Sequence, residues 1–402
     1  MSRITLMILI YLVFADPIKG QQVNFNSIDS LSYQLYLKGA WDSLLQLGKL
    51  AEKADIVYPN LSLRLGYAAF MKGNNSLSLK HFNYVLKENS FNQNALYYAV
   101  LNNKLLSRNE AAAFRSKNLD EDLKKPLNIG YKKLAESIDV ETSFKPTNSE
   151  VRKMGKFYRI GVSNRINYRW KLNHSVSSFQ QNLLTPTDTR TTNQQNRNNN
   201  PTNFRKFNVN DFQYYLKSDV FLNENFLLTN AYHMIYTHFD NSTYSTNIIS
   251  TGLKYFTPFA DFKMEINTGL MLDSLQTQLA FSSTYHPIGN LDIYGNSRVS
   301  YQKRTNLTQL NFSQVIGLKL SKKIWVEMHG TFGQIKNFID NDAFYIYDAI
   351  DAGNFRIGTS FIIAFNNHIS LLSNYYYEQK RLYSQNTNYH LHSYSLGLTW
   401  KL

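Results

Sequence analysis

The sequence of 402 residues contains no cysteine, and only 18% of its residues are charged. The missing cysteine excludes disulfide scaffolds, thiol catalysis and cysteine-ligated zinc. After the first twenty residues or so, no apolar run approaches the ~20 residues that a membrane-spanning helix needs. Because the mean hydropathy is also negative, at -0.38, we exclude a bundle of membrane helices.

Enzyme motifs are also missing. The sequence has no Gly-x-Ser-x-Gly, no His-Glu-x-x-His and no glycine-rich loop that could cradle a phosphate. The histidines with a conceivable role as a base are His233, His238, His286 and His329. Glu327 shares the phase of His329, but no serine or acid stands at a distinctive spacing from any of the four. We therefore predict no enzyme, no cofactor and no metal site, and we interpret His390 and His392 as interfacial residues.

Aromatic and basic residues are what the sequence has in excess. It contains 28 Tyr and 26 Phe, and its 43 Lys and Arg against 29 Asp and Glu give a formal net charge of +14. This charge favours anionic partners such as nucleic acid, anionic lipid or acidic polymers. The aromatic content indicates either many strands or a membrane β-barrel, which places aromatic residues at both water–lipid boundaries.

Residues 1–21 have the pattern of a secretory signal peptide. Arg3 precedes an apolar run over residues 4–15, and the small residue Gly20 follows near the expected cleavage point. A short membrane anchor is the alternative, but the run is short for one. Export removes nucleic acid from the partners that the basic charge favours.

Residues 22–140 show apolar residues at helical spacing with a repeat of 34 positions, the separation of Gly39 and Gly73. The third equivalent position holds Ser107. The pattern resembles the tetratricopeptide repeat, in which small and large residues pack two helices together, and a generic all-α domain is the alternative. The resemblance implies a concave surface that binds a peptide or a protein. The residues expected to pack the repeats are Gly39, Leu65, Gly66, Gly73, Phe82 and Val85.

Residues 141–154 are predicted to be a linker, and residues 155–402 change to a period of two. Tyr394, Leu396, Leu398 and Trp400, for example, share one face. The runs are about 11–15 residues long, which is longer than the usual 5–6 of a sandwich strand and long enough for a tilted membrane strand. We predict an α + β multidomain chain with helical repeats and a 12-stranded antiparallel transmembrane barrel.

The connections predict the topology. Those after even-numbered strands are short, whereas residues 171–204 and 337–353 form two long ones after odd-numbered strands. An even strand number places both ends of the barrel in the periplasm, together with the repeats. The first long connection is rich in Gln and Asn, and it is either a plain solvated loop or a recognition surface.

The face expected to line the lumen carries more basic than acidic residues. Its acidic residues are Asp211, Asp219, Glu265, Asp292, Glu327 and Glu378. Two interpretations stay open: a narrow barrel filled with paired charges and tyrosines, or a cationic lining that attracts anionic solutes. The basic residues on this face are Arg159, Arg165, Arg169, Lys217, Lys254, Lys263, Arg298, Lys319, Arg356 and Lys401.

The order of signal peptide, degenerate repeats and C-terminal barrel resembles the YaiO-type outer-membrane β-barrel proteins of Gram-negative bacteria. The resemblance implies contact with outer-membrane lipid and no catalytic residues. Outer-membrane barrels usually end in Phe or Trp. The last residue here is Leu402, and the last aromatic residue is Trp400, two positions earlier.

Three functions are compatible with these features. The first is a component of cell-surface assembly or export, with a periplasmic protein partner and an anionic polysaccharide as one candidate cargo. The second is a passive, mildly anion-favouring pore, and the third is a surface enzyme or adhesin.

Overall fold

The computed structural model describes residues 24–130, 132–186, 204–271, 274–304, 307–347, 351–382 and 387–402. The predicted signal peptide and most of the Gln- and Asn-rich run lie outside these residues. The described chain forms a helical region followed by a β-barrel.

The helical region consists of seven α-helices and a final 3₁₀ turn, Lys125–Leu127. The helices are α1 Phe25–Leu37, α2 Trp41–Lys53, α3 Pro59–Met71, α4 Asn75–Glu88, α5 Gln93–Leu105, α6 Asn109–Ser116 and α7 Glu121–Lys124.

The repeat of 34 positions marks the turns inside three successive helix pairs. Gly39, Gly73 and Ser107 follow the ends of α1, α3 and α5, with φ values of +66°, +72° and +56°. A residue in this left-handed conformation commonly ends a helix, and glycine adopts it without steric cost. The glycines therefore suit the first two turns, whereas Ser107 adopts the conformation despite its side chain.

Small and large residues pack the helices of the second pair. A Cβ atom on Gly66 of α3 would lie 3.0 Å from the ring of Phe82 on α4. The hydroxyl of Ser78 on α4 donates to the Gly66 carbonyl oxygen at 2.8 Å. Leu65 is buried in the core between the first two pairs, and Phe82 and Val85 are buried in the next core.

The strands that form the barrel are β1 Lys133–Lys145, β2 Gly155–Arg165, β3 Trp170–Pro186, β4 Phe204–Phe221, β5 Phe226–Phe239, β6 Ser242–Phe256, β7 Ala260–Met271, β8 Ser274–Tyr285, β9 Ile293–Arg304, β10 Leu307–Ser321, β11 Ile324–Ile335, β14 Ala352–Ala364, β15 Ile369–Arg381 and β16 Asn388–Lys401. Two short strands, β12 Ile339–Asp340 and β13 Tyr345–Ile346, pair only with each other. Each barrel strand is antiparallel to its neighbours, and β1 closes the barrel against β16.

The barrel thus has 14 strands, and the prediction of 12 was wrong. The two additional strands are β1 and β3. β1 begins inside the segment predicted as repeats and ends inside the predicted linker, while β3 occupies the first half of the connection predicted over residues 171–204. Because 14 is also even, the chain still enters and leaves the barrel at one end, which we call the proximal end; the opposite end is the distal end.

The two faces of the barrel wall have opposite character. The interior is polar, and the side chains of Glu265, Gln276 and Gln278 are at most 1% exposed there. The exterior carries large exposed apolar side chains, among them Ile160, Val176, Phe212, Ile249, Ile266, Phe281, Val299, Phe312, Met328, Phe361 and Leu398. An apolar exterior around a polar interior is the arrangement of a barrel that lies in lipid. Among the described residues, no helix is long and apolar enough to cross a membrane.

Candidate functional site in the barrel lumen

The connection between β11 and β14 folds into the lumen. Residues 336–347, here called the lumen hairpin, contain the paired strands β12 and β13. At its tip Asn341, Asp342 and Ala343 have φ values of +52°, +59° and +59°. Each left-handed residue other than glycine costs about 1 kcal/mol or more, so the surrounding contacts must hold this turn in place.

One group of contacts attaches the hairpin to the wall formed by β4, β5 and β8. The side-chain amide of Gln278 donates to the Ile339 carbonyl oxygen at 2.5 Å, and the Ile339 N–H donates to the Gln278 oxygen at 3.1 Å. The Tyr215 hydroxyl donates to the Asp342 carbonyl oxygen at 3.1 Å. Nδ1 of His233 lies 2.6 Å from the Ala343 carbonyl oxygen. The hairpin backbone therefore replaces water along this wall.

Ion pairs add a second group of contacts with the same side of the lumen. The Asp342 carboxylate pairs with Lys217 at 3.0 Å and also with Lys263. Arg298 pairs with Glu265 at 2.9 Å and with Asp340 of the hairpin at 3.5 Å. We call these groups the lumen ion cluster; its members are Lys217, Lys263, Glu265, Arg298, Asp340 and Asp342.

The hairpin also reaches the opposite wall. The Arg159 guanidinium lies 4.9 Å from the centre of the Phe344 ring, and Arg356 contacts Tyr347 of the hairpin. Both arginines also pair with carboxylates of neighbouring strands: Arg159 with Asp139 and Glu141, and Arg356 with Glu378 at 3.3 Å. The hairpin thus extends across the lumen from the wall around β4–β9 to β2 and β14.

Helix α6 occupies the proximal mouth of the barrel. Phe114 stacks on Phe221 with ring centres 5.2 Å apart. Arg108, just before α6, pairs with Asp261 at 2.8 Å, and both side chains are buried. Glu110 lies 3.4 Å from Lys171; burial alone would raise the pKa of Glu110, but Lys171 and nearby cations hold that pKa below its ordinary value.

A cavity of about 950 Å³ remains between the hairpin, the wall and α6. Its described lining contains ten basic and ten acidic side chains, so the basic excess expected for the lumen is not found there. The paired-charge interpretation is the one that this geometry favours.

The ten basic residues named from the sequence fall into two groups. Those that line the cavity are Arg159, Lys217, Lys254, Lys263, Arg298 and Arg356. The other four lie at the proximal end. Arg165 pairs with Glu136 at 2.8 Å, Arg169 lies over the Phe114 ring, Lys319 pairs with Asp292 at 3.2 Å, and Lys401 is exposed.

The histidines do not form a catalytic arrangement. Nε2 of His329 lies 2.8 Å from the Ser360 hydroxyl and 3.4 Å from Glu327. A relay needs the acid on the other ring nitrogen, and Ser360 is only 2% exposed. His390 and His392 bind the outward-facing Tyr377 and Tyr375. No group of three or more potential metal ligands occurs in the described part of the chain.

Sequence reasoning placed Asp219, Glu265 and Glu378 on the lumen face, where they pair with Lys217, Arg298 and Arg356. It missed the acidic partners on β1 and on the lumen hairpin. Asp139 and Glu141 lie on β1, which was predicted as repeat and linker, and Asp342 lies on a segment predicted as an outer loop. Alternation of acidic with apolar residues over 138–144 was a signal that could have identified β1. No pattern in the sequence indicated that residues 336–347 enter the lumen.

The fold and the lined lumen define a class: the chain is a β-barrel of the outer-membrane type with an N-terminal helical region. No family model matches the sequence, and no curated protein matches it.

Several solved structures are similar in fold. The deltaS2S3 mutant of the TodX monoaromatic hydrocarbon channel is 5% identical with a TM-score of 0.49, covering 66% of this chain and 90% of its own. The Pseudomonas putida toluene transporter TodX is 6% identical with a TM-score of 0.44, covering 66% and 89%. A Pseudomonas aeruginosa FadL homologue is 9% identical with a TM-score of 0.42, covering 76% and 94%. These likenesses concern the barrel fold alone.

Proposed function

We propose that the chain is an outer-membrane component of cell-surface assembly or export whose lumen is closed at rest. The apolar exterior and the aromatic residues at strand ends support the location in the outer membrane. The helical region at the proximal end supports a periplasmic position for it, because the longest connections of the barrel, those after β3 and β11, leave from the distal end. Tetratricopeptide-like packing, as between Gly66 and Phe82, supports a role in binding a periplasmic protein.

One observation carries this proposal over a passive pore: the lumen hairpin is attached to both walls. On one side Asp342 and Asp340 pair with Lys217 and Arg298. On the other side Phe344 and Tyr347 contact arginines. A segment that only narrowed a permanently open pore would not need contacts across the full width. We infer that the hairpin must move for cargo to pass.

Cargo chemistry follows from the lining. Ten acidic side chains balance ten basic ones, so a strong preference for anions is not expected. Hydroxyl and amide groups, such as those of Ser175, Ser177 and Gln213, also line the cavity. A polar polymer, with polysaccharide as the first candidate, suits this lining better than a hydrocarbon.

The test is the conductance of the purified protein in planar bilayers. The Asn337 N–H donates to the Tyr347 carbonyl oxygen at 2.9 Å, so a short glycine link can join these two residues and replace the hairpin between them. We expect the native chain to conduct little and the shortened chain to form a stable pore. Equal, constitutive conductance of both proteins would reject the closed state and favour the passive pore.

A further inference from the structure

A second cavity, of about 350 Å³, lies between the helices and the proximal turns of the barrel. Residues of α2, α3, α4 and α6 form one side, and the end of β6 with the turns after β4 and β6 forms the other. Among the described lining residues, only Phe256 also lines the lumen cavity. We call this cavity the seam cleft.

Arg115 is the feature of the seam cleft that points to a ligand. The residue is 7% exposed, and its nearest carboxylate, on Glu224, is 3.8 Å away and 56% exposed. This separation is too long for a hydrogen bond. Within the described residues this is the one ion pair of the guanidinium, and the group lines the cleft. Its five N–H donors can therefore bind an anion that enters the cleft.

Other polar groups of the cleft are arranged around the same space. His81 is 8% exposed and has no hydrogen-bond partner within the described residues. Lys80 and Lys87 add two positive charges at the rim, and Lys80 pairs with Glu52 at 2.9 Å. The cleft therefore offers several donors to an anionic group.

The remaining walls place the cleft beside the lipid. Tyr255, which lines the cleft, faces outward from the barrel and is exposed. Leu222 and Phe259, in the neighbouring proximal turns, are also exposed. Aromatic and apolar residues at the end of a barrel wall mark the level of the lipid headgroups.

We propose that the seam cleft binds the phosphate of an anionic phospholipid from the leaflet at the proximal end; this inference rests on the membrane location proposed above. Arg115 binds the phosphate through two N–H groups, Lys80 and Lys87 contribute charge at the rim, and the acyl chains leave along Tyr255. The exposed Glu224 carboxylate turns toward water. A volume of about 350 Å³ has room for roughly ten water molecules or a headgroup of that size.

The experiment measures lipid retained by the full-length protein. The detergent-purified chain is mixed with equal amounts of phosphatidylglycerol and phosphatidylcholine, and bound lipid is counted by native mass spectrometry. We expect about a tenfold preference for phosphatidylglycerol, and Arg115→Gln should abolish it. Lys72→Gln is the matched control, because Lys72 is an exposed residue of the same domain that pairs with Asp42 at 3.0 Å.

Two results would overturn the assignment. The first is equal retention of both lipids by the native chain, or unchanged preference in Arg115→Gln. The second is complete displacement of the lipid by millimolar inorganic phosphate, which would identify a soluble phosphate as the ligand. If Arg115→Gln does not fold, Lys87→Gln on the rim must reduce the preference severalfold. The pore test in phosphatidylcholine bilayers is independent of these outcomes, so either proposal can fail alone.

Discussion

At Gly66 a hydrogen atom in place of a side chain lets α3 meet the Phe82 ring of α4. Phe82 is 1% exposed and lies in the central helical core. A larger residue at position 66 must push this ring away, and a close-packed core has no room for it.

We predict that Gly66→Val destabilises the helical region by about 1–3 kcal/mol, the usual cost of overpacking. The measurement is urea unfolding of the full chain followed by circular dichroism at the helical minimum, with faster migration of the unboiled barrel on a gel as the sign that the barrel is intact. Gly130→Val is the control, because its Cβ would meet no described atom closer than 3.5 Å. Equal midpoints for the two variants would contradict the packing interpretation.

His81 makes the helical region sensitive to acid. Burial first, then the positive charge of Lys80, lowers the pKa of His81 from 6.5 to about 4. As the pH falls, His81 of the unfolded chain therefore binds a proton near pH 6.5, whereas His81 of the folded chain binds it only near pH 4. Stability is fully present above pH 6.5 and falls as the pH drops through this window.

The loss attributable to His81 should reach about 3 kcal/mol by pH 4. Its measurement is the free energy of unfolding of the helical region at pH 7, 5.5 and 4, for the native chain and for His81→Gln. As the pH falls from 7 to 4, the free energy of unfolding should decrease more for the native chain than for His81→Gln. A constant difference would show that His81 titrates normally.

The lumen hairpin is the element on which the closed state depends. Its Asp342 carboxylate lies between Lys217 and Lys263, deep enough that water does not replace it easily. After Asp342→Asn, Lys217 keeps Asp219 and Lys263 keeps Glu265, each at 3.4 Å, so the cost is that of lost charged hydrogen bonds, about 1.5–3 kcal/mol. Asp342→Asn should therefore raise the population with an undocked hairpin by on the order of 10- to 100-fold.

Because the native chain has no cysteine, thiol labelling can detect this change without background. Ala343→Cys places one thiol at the fully buried hairpin tip. We expect slow maleimide labelling in this protein and fast labelling, with larger conductance, once Asp342→Asn is added. Asp292→Asn, half-exposed and outside the cavity lining, should change neither. Fast labelling of Ala343→Cys alone would show that the hairpin is not docked.

The strands that were predicted from the sequence have one apolar and one polar face. The strands that were missed show a weaker difference in polarity between their two faces. β16 was predicted because Leu396, Leu398 and Trp400 alternate with small polar residues. β3 carries polar residues such as Gln180 on its outward face as well, so its period of two is weak. Because β1 and the lumen hairpin were missed, their carboxylates, Asp139 and Glu141 beside Arg159 and Asp342 beside Lys217, were not placed in the lumen, and the expected charge of the lumen was too basic. The spacing of Gly39 and Gly73 was visible in the sequence, but both were expected to pack the repeats. They lie instead in turns between helices, where a left-handed backbone favours glycine.

At the scale of the whole molecule, the helical region and the barrel are joined by few but buried contacts. Phe114 packs on Phe221, and the Ser76 N–H donates to the Gly289 carbonyl oxygen at 2.9 Å. Asp261 holds two cations of the seam, Arg108 at 2.8 Å and Lys254 at 3.0 Å. Because burial also lowers the pKa of His286 beside them to about 4, this histidine adds no third charge at neutral pH.

Asp261→Asn should therefore undock the helices from the proximal mouth. The substitution leaves the buried Arg108 guanidinium without a carboxylate and beside the partly exposed Lys254, at a cost of about 3 kcal/mol. Trypsin cleavage after Arg115, which is buried in the docked state, reports the undocked population when docking is fast relative to cleavage. We expect this cleavage to accelerate by on the order of 100-fold, and to remain slow in Asp122→Asn, whose carboxylate is 91% exposed. Cleavage at the native rate in Asp261→Asn would contradict this expectation. It would mean that apolar packing around Phe114 keeps α6 in the proximal mouth of the barrel without the ion pair.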